Sequence, residues 1–311
     1  MGETTYTPQE GTAAMKWAMQ ATLDEGDEVI VPSPYWVSYG DIARLFGGRP
    51  VTVLCPEANG FRLRPEALET AITPRTRWVV LNSPNNPSGA VAGWDDMRAI
   101  ADVMLQHPHV LILTDDMYEH LLYDDARFCT TAQVEPRLRD RVLTVNGGSK
   151  SYSMTGWRVG FCGGPMALIK GMAKVQGQST GGISGISQAA AVAALEGPQD
   201  GLQVRAAIYR GRRDMALSML ATAPGLRCRK PGGAFYLFVN MEGCLGKVTA
   251  GGARIATDQD FMTALLREQA VAAVHGAAYG MSPFFRLSYA TSDALFRKGC
   301  ERIVRFCART Q

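Results

Sequence analysis

Five short runs rich in β-branched residues recur between Glu28 and Val145, separated by turn residues and helical patterns. This alternation most narrows what the chain can fold into. The runs are EVIVP at 28–32, VTVL at 51–54, WVVL at 78–81, VLILT at 110–114 and VLTV at 142–145, all of strand length. Between the third and fourth, Met97, Ile100, Ala101, Met104 and Leu105 repeat at the spacing of one helical face, which predicts a helix after Trp94. Strand, helix, strand in this order predicts an α/β fold with a mostly parallel sheet and helices on both faces. Ligands of such sheets sit beyond the carboxyl ends of the strands, so the polar residues after WVVL, VLILT and VLTV are the first candidates for a site.

After Gly163 the pattern changes. SQAAAVAAL at 187–195 and the stretch from Ala206 to Leu220 read as helices, PGGAFYLFV at 231–239 as a turn running into a strand, and Ser292 to Thr310 as a closing helix. The 311 residues are enough for two domains, and the expected division is a large domain over 1–204 and a smaller α+β domain over 205–311. GKVTAGGARIATD at 246–258 is the best candidate for a flexible loop.

Charge and cysteine content remove several classes of function. Thirty-two Lys and Arg against 29 Asp and Glu leave a net charge of +3, too slight and dispersed for a nucleic-acid surface. No apolar run reaches the ~18 residues of a membrane helix, and the first residues have no secretory pattern. Seven scattered cysteines show no metal-ligand spacing, so reduced, mostly buried thiols, no metal site and a cytoplasmic location are expected. None of the four histidines stands in a nucleophile or metal-ligand constellation; His120, in a helix expected after Tyr118, and His275 are expected to pack or face solvent.

Three strand ends carry the chemistry. WVVL leads into Asn82-Ser83-Pro84-Asn85-Asn86-Pro87-Ser88-Gly89, VLILT into Asp115-Asp116-Met117-Tyr118, and VLTV into Asn146-Gly147-Gly148-Ser149-Lys150, with Arg158 eight residues further on. If these strands are neighbours, an amide, a carboxylate, a phenol, an amine and a guanidinium converge on one crevice, a set suited to a planar, phosphorylated, nitrogen-containing ligand.

SPYWVSY, NSPNNPSG, DDMYEHLLYD, NGGSKSYSMTGWRVG and FRLSYATS follow one another through the chain. In that order they resemble the class I aminotransferases of the fold type I pyridoxal-phosphate enzymes, most closely the bacterial aspartate and aspartate/prephenate aminotransferases. The resemblance covers nearly the whole chain and implies the PLP-transferase fold type I with pyridoxal 5′-phosphate as cofactor. It also implies a ping-pong exchange of an amino group between an amino acid, aspartate or glutamate, and a 2-oxo acid, in a homodimer without nucleic-acid or membrane partners.

By the same resemblance, Lys150 is the Schiff-base lysine that moves the substrate proton. Asp115 pairs with the pyridine nitrogen, chosen over Asp116 by the spacing to Tyr118, with a helix N-cap as its ordinary alternative role. Tyr118 and Asn86 bind the ring 3′-oxygen, Trp36 stacks on the ring, and Arg158 grips the phosphate with a hydroxyl from Ser149. Arg286 holds the substrate α-carboxylate, near which Asn86 and Trp36 also stand; the need for that partner explains an arginine within FFRLSYA.

Set against this family, the sequence is short before Gly26, where the N-terminal arm and part of the small domain belong. GETTYTPQEGTAAMK therefore has two registers. In one, Tyr6 is the tyrosine that reaches the neighbouring subunit's phosphate; in the other, Gly11-Thr12-Ala13 is the phosphate cup at the start of a helix. The shortening keeps two further readings open: a truncated or non-catalytic paralogue retaining the cofactor residues, and a related fold type I lyase or decarboxylase.

Overall fold

A computed structural model describes residues 4–6, as backbone, and residues 11–311. The strands of its larger sheet are β1 (Thr4–Tyr6), β2 (Glu28–Ser33), β3 (Arg49–Leu54), β4 (Thr76–Asn82), β5 (Leu111–Asp115), β6 (Val142–Gly147) and β7 (Gly160–Gly164). They lie in the order β1-β7-β6-β5-β4-β2-β3. The neighbours from β3 across to β6 pair in parallel, while β7 and β1 run antiparallel at one edge. All five runs expected from the sequence are strands of this sheet.

Side-chain alternation along the central strands explains why helices cover both faces. Val29, Val31, Trp78 and Val80 point into one core, and Ile30, Val79 and Leu81 into the other. The first core is closed by α1 (Gly11–Thr22), α2 (Ser38–Leu45) and α6 (Met166–Ser179), through residues such as Met15, Ala18, Ile42 and Met172. The second is closed by α3 (Pro65–Ala71), α4 (Trp94–Gln106) and the short α5 (Thr131–Val134). On α4 the expected stripe is buried at Met97, Ile100, Ala101 and Met104, with Leu105 at its half-buried margin. The Asp96 carboxylate accepts from the Gly93 N–H at 2.9 Å and satisfies one of the donors exposed at that helix start.

The chain continues through α7 (Gly185–Glu196) and α8 (Asp200–Leu220) into a second, antiparallel sheet. That sheet comprises β8 (Arg227–Cys228), β9 (Tyr236–Asn240), β10 (Val274–His275) and β11 (Phe284–Ser288) in the order β10-β11-β9-β8. Helices α9 (Asp258–Gln269) and α10 (Asp293–Ala308) pack on it. Thr257 and Asp260 cap α9 reciprocally, the Asp260 N–H donating to Thr257 Oγ1 at 3.1 Å and the Thr257 N–H to Asp260 Oδ2 at 2.9 Å. Met117, Tyr118, Leu121 and Tyr123, from the loop after β5, are buried in the same core as β9 and β11, so one apolar cluster ties the two sheets together.

Two local expectations need correction. Residues 246–258 are not a loose loop: Gly246 N–H donates to Ile255 O at 2.8 Å, Ile255 N–H to Lys247 O at 2.9 Å, and Ile255 is fully buried. Reciprocal hydrogen bonds between Val248 and Gln311 fasten this hairpin to the last residue of the chain. Its glycines mark the turn of a hairpin, and Ile255 is the anchor that a reading by composition undervalues. Secondly, the chain after Tyr118 forms a turn and not a helix, because the peptides of 118–123 bond to the PGG segment: Tyr123 N–H donates to Gly232 O and Ala234 N–H to Leu121 O, each at 2.9 Å.

Candidate active site

Beyond the carboxyl ends of β4, β5 and β6 lies a cavity of about 410 Å³. Its lining includes Gly11, Thr12, Trp36, Asn86, Asp115, Tyr118, Ser149, Lys150, Arg158 and Arg286, which is every residue given a cofactor or substrate role from the sequence except Ala13 and Tyr6. Ala13 faces an adjoining groove together with Thr12 and Arg158. The side chain of Tyr6 lies outside the described residues; its backbone pairs with Cys162 in β7. Gly11 opens α1, so the arrangement has the geometry of the second register, with a helix N-terminus directed at the cavity.

The strand ends are braced to one another. Asn82 and Asp115 are opposed in the β4–β5 register, and Asn82 Nδ2 donates to Asp115 O at 2.8 Å. The same amide's Oδ1 accepts from the Asn86 N–H at 2.8 Å, which fixes Asn86 at the rim. Across the cavity, Arg286 Nη1 donates to Asn86 Oδ1 at 2.9 Å. Arg286 itself is carried by β11 and sandwiched between the rings of Tyr236 and Tyr279, with its guanidinium carbon 4.5 and 5.0 Å from their centroids. Two aromatic faces thus stabilise a cation set within an apolar sheet.

Burial pushes the Asp115 carboxyl up to about 6, against the lowering effect of hydrogen bonds from Tyr39 and the Met117 N–H and of the Lys150 charge. Asp116 does not line the cavity, and burial and the adjacent Asp115 push its carboxyl upward, which favours its neutral form; Asp115 is the carboxyl that lines the cavity. No helix begins here, which removes the N-cap alternative for Asp115. The Lys150 amine is lowered by burial first and by the Arg286 charge second, and raised by Asp115, which favours the neutral base.

Arg158 adopts a left-handed backbone at φ 53° and ψ 50°, an uncommon conformation for a side-chain-bearing residue, and its Nη1 donates to Thr155 O at 2.9 Å. The Trp36 ring is half-buried and meets Tyr39 edge to face at 5.4 Å. Ser149 Oγ and Arg286 Nε are buried without a hydrogen-bond partner, and both residues line the cavity. Unpaired buried polar atoms are costly, and both of these belong to residues at the cavity wall.

Several lining or supporting residues have no role assigned from the sequence, Tyr39 and Tyr236 among them. Tyr39, inside the SPYWVSY motif, donates to Asp115, and Tyr236, inside PGGAFYLFV, contacts both Tyr118 and Arg286. The continuous apolar run YLFV marks Tyr236 as core but does not reveal that its ring lines the cavity.

The family described as aminotransferase class I and II matches residues 3–303. The chain belongs to that family. It is a pyridoxal-phosphate-dependent aminotransferase of fold type I, in the aspartate subgroup. It is 57% identical over 292 residues to an aspartate aminotransferase of Rhizobium meliloti, covering 94% of this chain and 71% of that one. It is 50% identical over 309 residues to an aspartate/prephenate aminotransferase of Cereibacter sphaeroides, covering 97% and 77%. A crystal structure of the aspartate aminotransferase from Rhizobium meliloti superposes with a TM-score of 0.96 at 54% identity, over 99% of this chain and 77% of that one.

The cavity suits the family's cofactor. A helix N-terminus and Arg158 offer donors for a phosphate, Asp115 offers an anion for a pyridine nitrogen, and the partnerless Ser149 hydroxyl supplies a further donor. Among the described residues no helix is long and apolar enough to cross a membrane.

Proposed function

We propose that this aminotransferase takes the amino group of aspartate or glutamate and passes it to a 2-oxo acid in two half-reactions at one site. The observation that carries the reading is the shared cavity of Lys150, Asp115 and Arg286, in which Arg286 Nε is buried and unpaired. A free guanidinium edge opposite an amine of lowered basicity fits an α-amino acid whose carboxylate is held while its Cα proton is removed. Pyridoxal phosphate, when bound, supplies the electron sink that makes that proton acidic.

The roles then follow from the chain's own groups. Arg286 binds the α-carboxylate, and its bond to Asn86 fixes the plane of the guanidinium. Lys150 Nζ takes the proton from the substrate Cα and later returns one. The Asp115 carboxylate would hold the pyridine nitrogen and favour its protonated form. Tyr118 and Asn86 would hold the ring 3′-oxygen, Trp36 would pack on the ring, and Arg158, Ser149 and the Gly11-Thr12-Ala13 helix start would hold the phosphate.

Residues 1–204 form the cofactor-bearing domain in this reading and 205–311 the smaller one, in a cytoplasmic homodimer. Support for a second copy comes from α7, in which no residue is buried and Ile186 is 75% exposed. The test is oxaloacetate and glutamate formation from aspartate and 2-oxoglutarate. Equal amounts of both products are expected, with parallel lines in double-reciprocal plots. Repeated turnover of the amino acid, beyond one equivalent per site, without any 2-oxo acid acceptor would overturn the reading.

A further inference from the structure

We infer that Tyr236 is a positioning residue of this site, whose hydroxyl donates to Tyr118 and couples the carboxylate-binding Arg286 to the hydrogen bond that Tyr118 makes to the cofactor ring oxygen. The inference rests on the functional reading above. Tyr236 opens β9 where PGG ends, two residues before Phe238, the cross-strand partner of Arg286 in β11. Its hydroxyl lies 2.9 Å from that of Tyr118, both rings are buried, and the ring face of Tyr236 is 4.5 Å from the Arg286 guanidinium carbon.

The direction of the hydrogen bond follows from proton count. A phenol has one proton and two acceptor positions. If Tyr118 gives its proton to the ring oxygen, the 2.9 Å contact can only be filled by Tyr236 donating to the Tyr118 oxygen. That donation polarises the Tyr118 O–H and strengthens it as a donor, as in any hydrogen-bonded chain of low local dielectric. The Arg286 cation over the Tyr236 ring makes Tyr236 a better donor in turn, and pairing Arg286 with a carboxylate weakens that effect. Binding at one end of the cavity therefore changes the hydrogen bond at the other through a single ring. This route is separate from the Arg286–Asn86 bond, which reaches the rim through a different atom of the guanidinium.

Tyr236→Phe keeps the ring, the packing and the cation–π contact, and removes only the hydroxyl. The readout is the pH midpoint of the visible absorbance of the cofactor-loaded protein, measured without amino acid and again with saturating succinate as an unreactive carboxylate. In Y236F the midpoint without succinate moves upward by about half a pH unit, because a weaker Tyr118 donor stabilises negative charge on the ring 3′-oxygen less well. The movement that succinate causes in the wild type becomes smaller in Y236F. In a Tyr118→Phe background, adding Y236F moves the midpoint no further, since Tyr236 acts through Tyr118. A Y236F midpoint equal to that of the wild type, or an equal shift with and without Tyr118, overturns the role of Tyr236 alone. A wild-type protein with no Lys150-dependent absorbance overturns the site assignment, and this role with it.

Discussion

The hydroxyl of Tyr39 donates a 2.5 Å hydrogen bond to Oδ2 of Asp115, in the buried floor of the cavity. Tyr39 reaches it from α2, three residues after Trp36, so one short segment supplies both the ring that covers the cavity and the phenol that orients its acid. The bond favours the charged form of a carboxyl that burial drives up to about 6. Tyr39→Phe therefore raises the Asp115 pKa further and moves the acid limb of the kcat profile to higher pH. Loss of a hydrogen bond to a charged group predicts roughly a 10-fold fall in kcat at neutral pH, checked by steady-state rates from pH 5 to 9.

The same carboxyl makes the cofactor-free protein sensitive to pH. Its folded-state pKa of about 6 stands above the ordinary value of 3.8, so the folded form holds a proton that the unfolded chain releases. Stability is unaffected below the lower value and declines as pH rises through the upper one, by on the order of 3 kcal/mol. Asp115→Asn is expected to stabilise the cofactor-free protein at pH 8, with a gain that shrinks as pH falls through 6 toward 4. Urea unfolding at several pH values measures it.

Gly89 joins the NPSG turn to the second sheet. It has φ +66°, its carbonyl accepts from the Gly232 and Gly233 N–H groups at 3.0 Å each, and an added Cβ would come within 2.5 Å of Pro231 Cβ and 2.7 Å of Gly233 O. No side chain there can rotate away, because the clash is at Cβ itself. Gly89→Ala is expected to cost about 3 kcal/mol or more in denaturant unfolding and to weaken substrate and cofactor binding together, since Asn86 is displaced with the turn.

Arg286→Lys retains a charge but loses the planar fork and the stacking between Tyr236 and Tyr279. KM for the amino acid is expected to rise about 100-fold, while the affinity for pyridoxal phosphate changes little. Titration of the cofactor, followed by initial rates at saturating cofactor, separates the two.

Much of this arrangement is legible in the sequence because it sits where local patterns are strong. Five β-branched runs specify the sheet, the period-3.6 stripe from Met97 to Met104 specifies the helix across its face, and strand ends project Asn86, Asp115 and Lys150 to one rim. The residues that escape such reading reach the site by tertiary contact. Tyr236 is 118 residues from Tyr118 and Tyr39 is 76 from Asp115, separations at which no periodicity carries information. The 246–258 hairpin escapes a reading by composition for a related reason. Its order comes from a pairing with the chain's last residue and from one buried isoleucine, neither of which is a property of its composition.

The central claim is that Lys150 holds pyridoxal phosphate and moves the substrate proton. It is tested most directly by the absorbance spectrum of the purified protein with the cofactor, before and after aspartate, with Lys150→Ala alongside. The account predicts a visible band in the wild type that aspartate shifts to shorter wavelength, and neither the same lysine-dependent band nor amino-group exchange in K150A. A folded wild-type protein without that band, or a K150A protein that still exchanges amino groups at the wild-type rate, would contradict it.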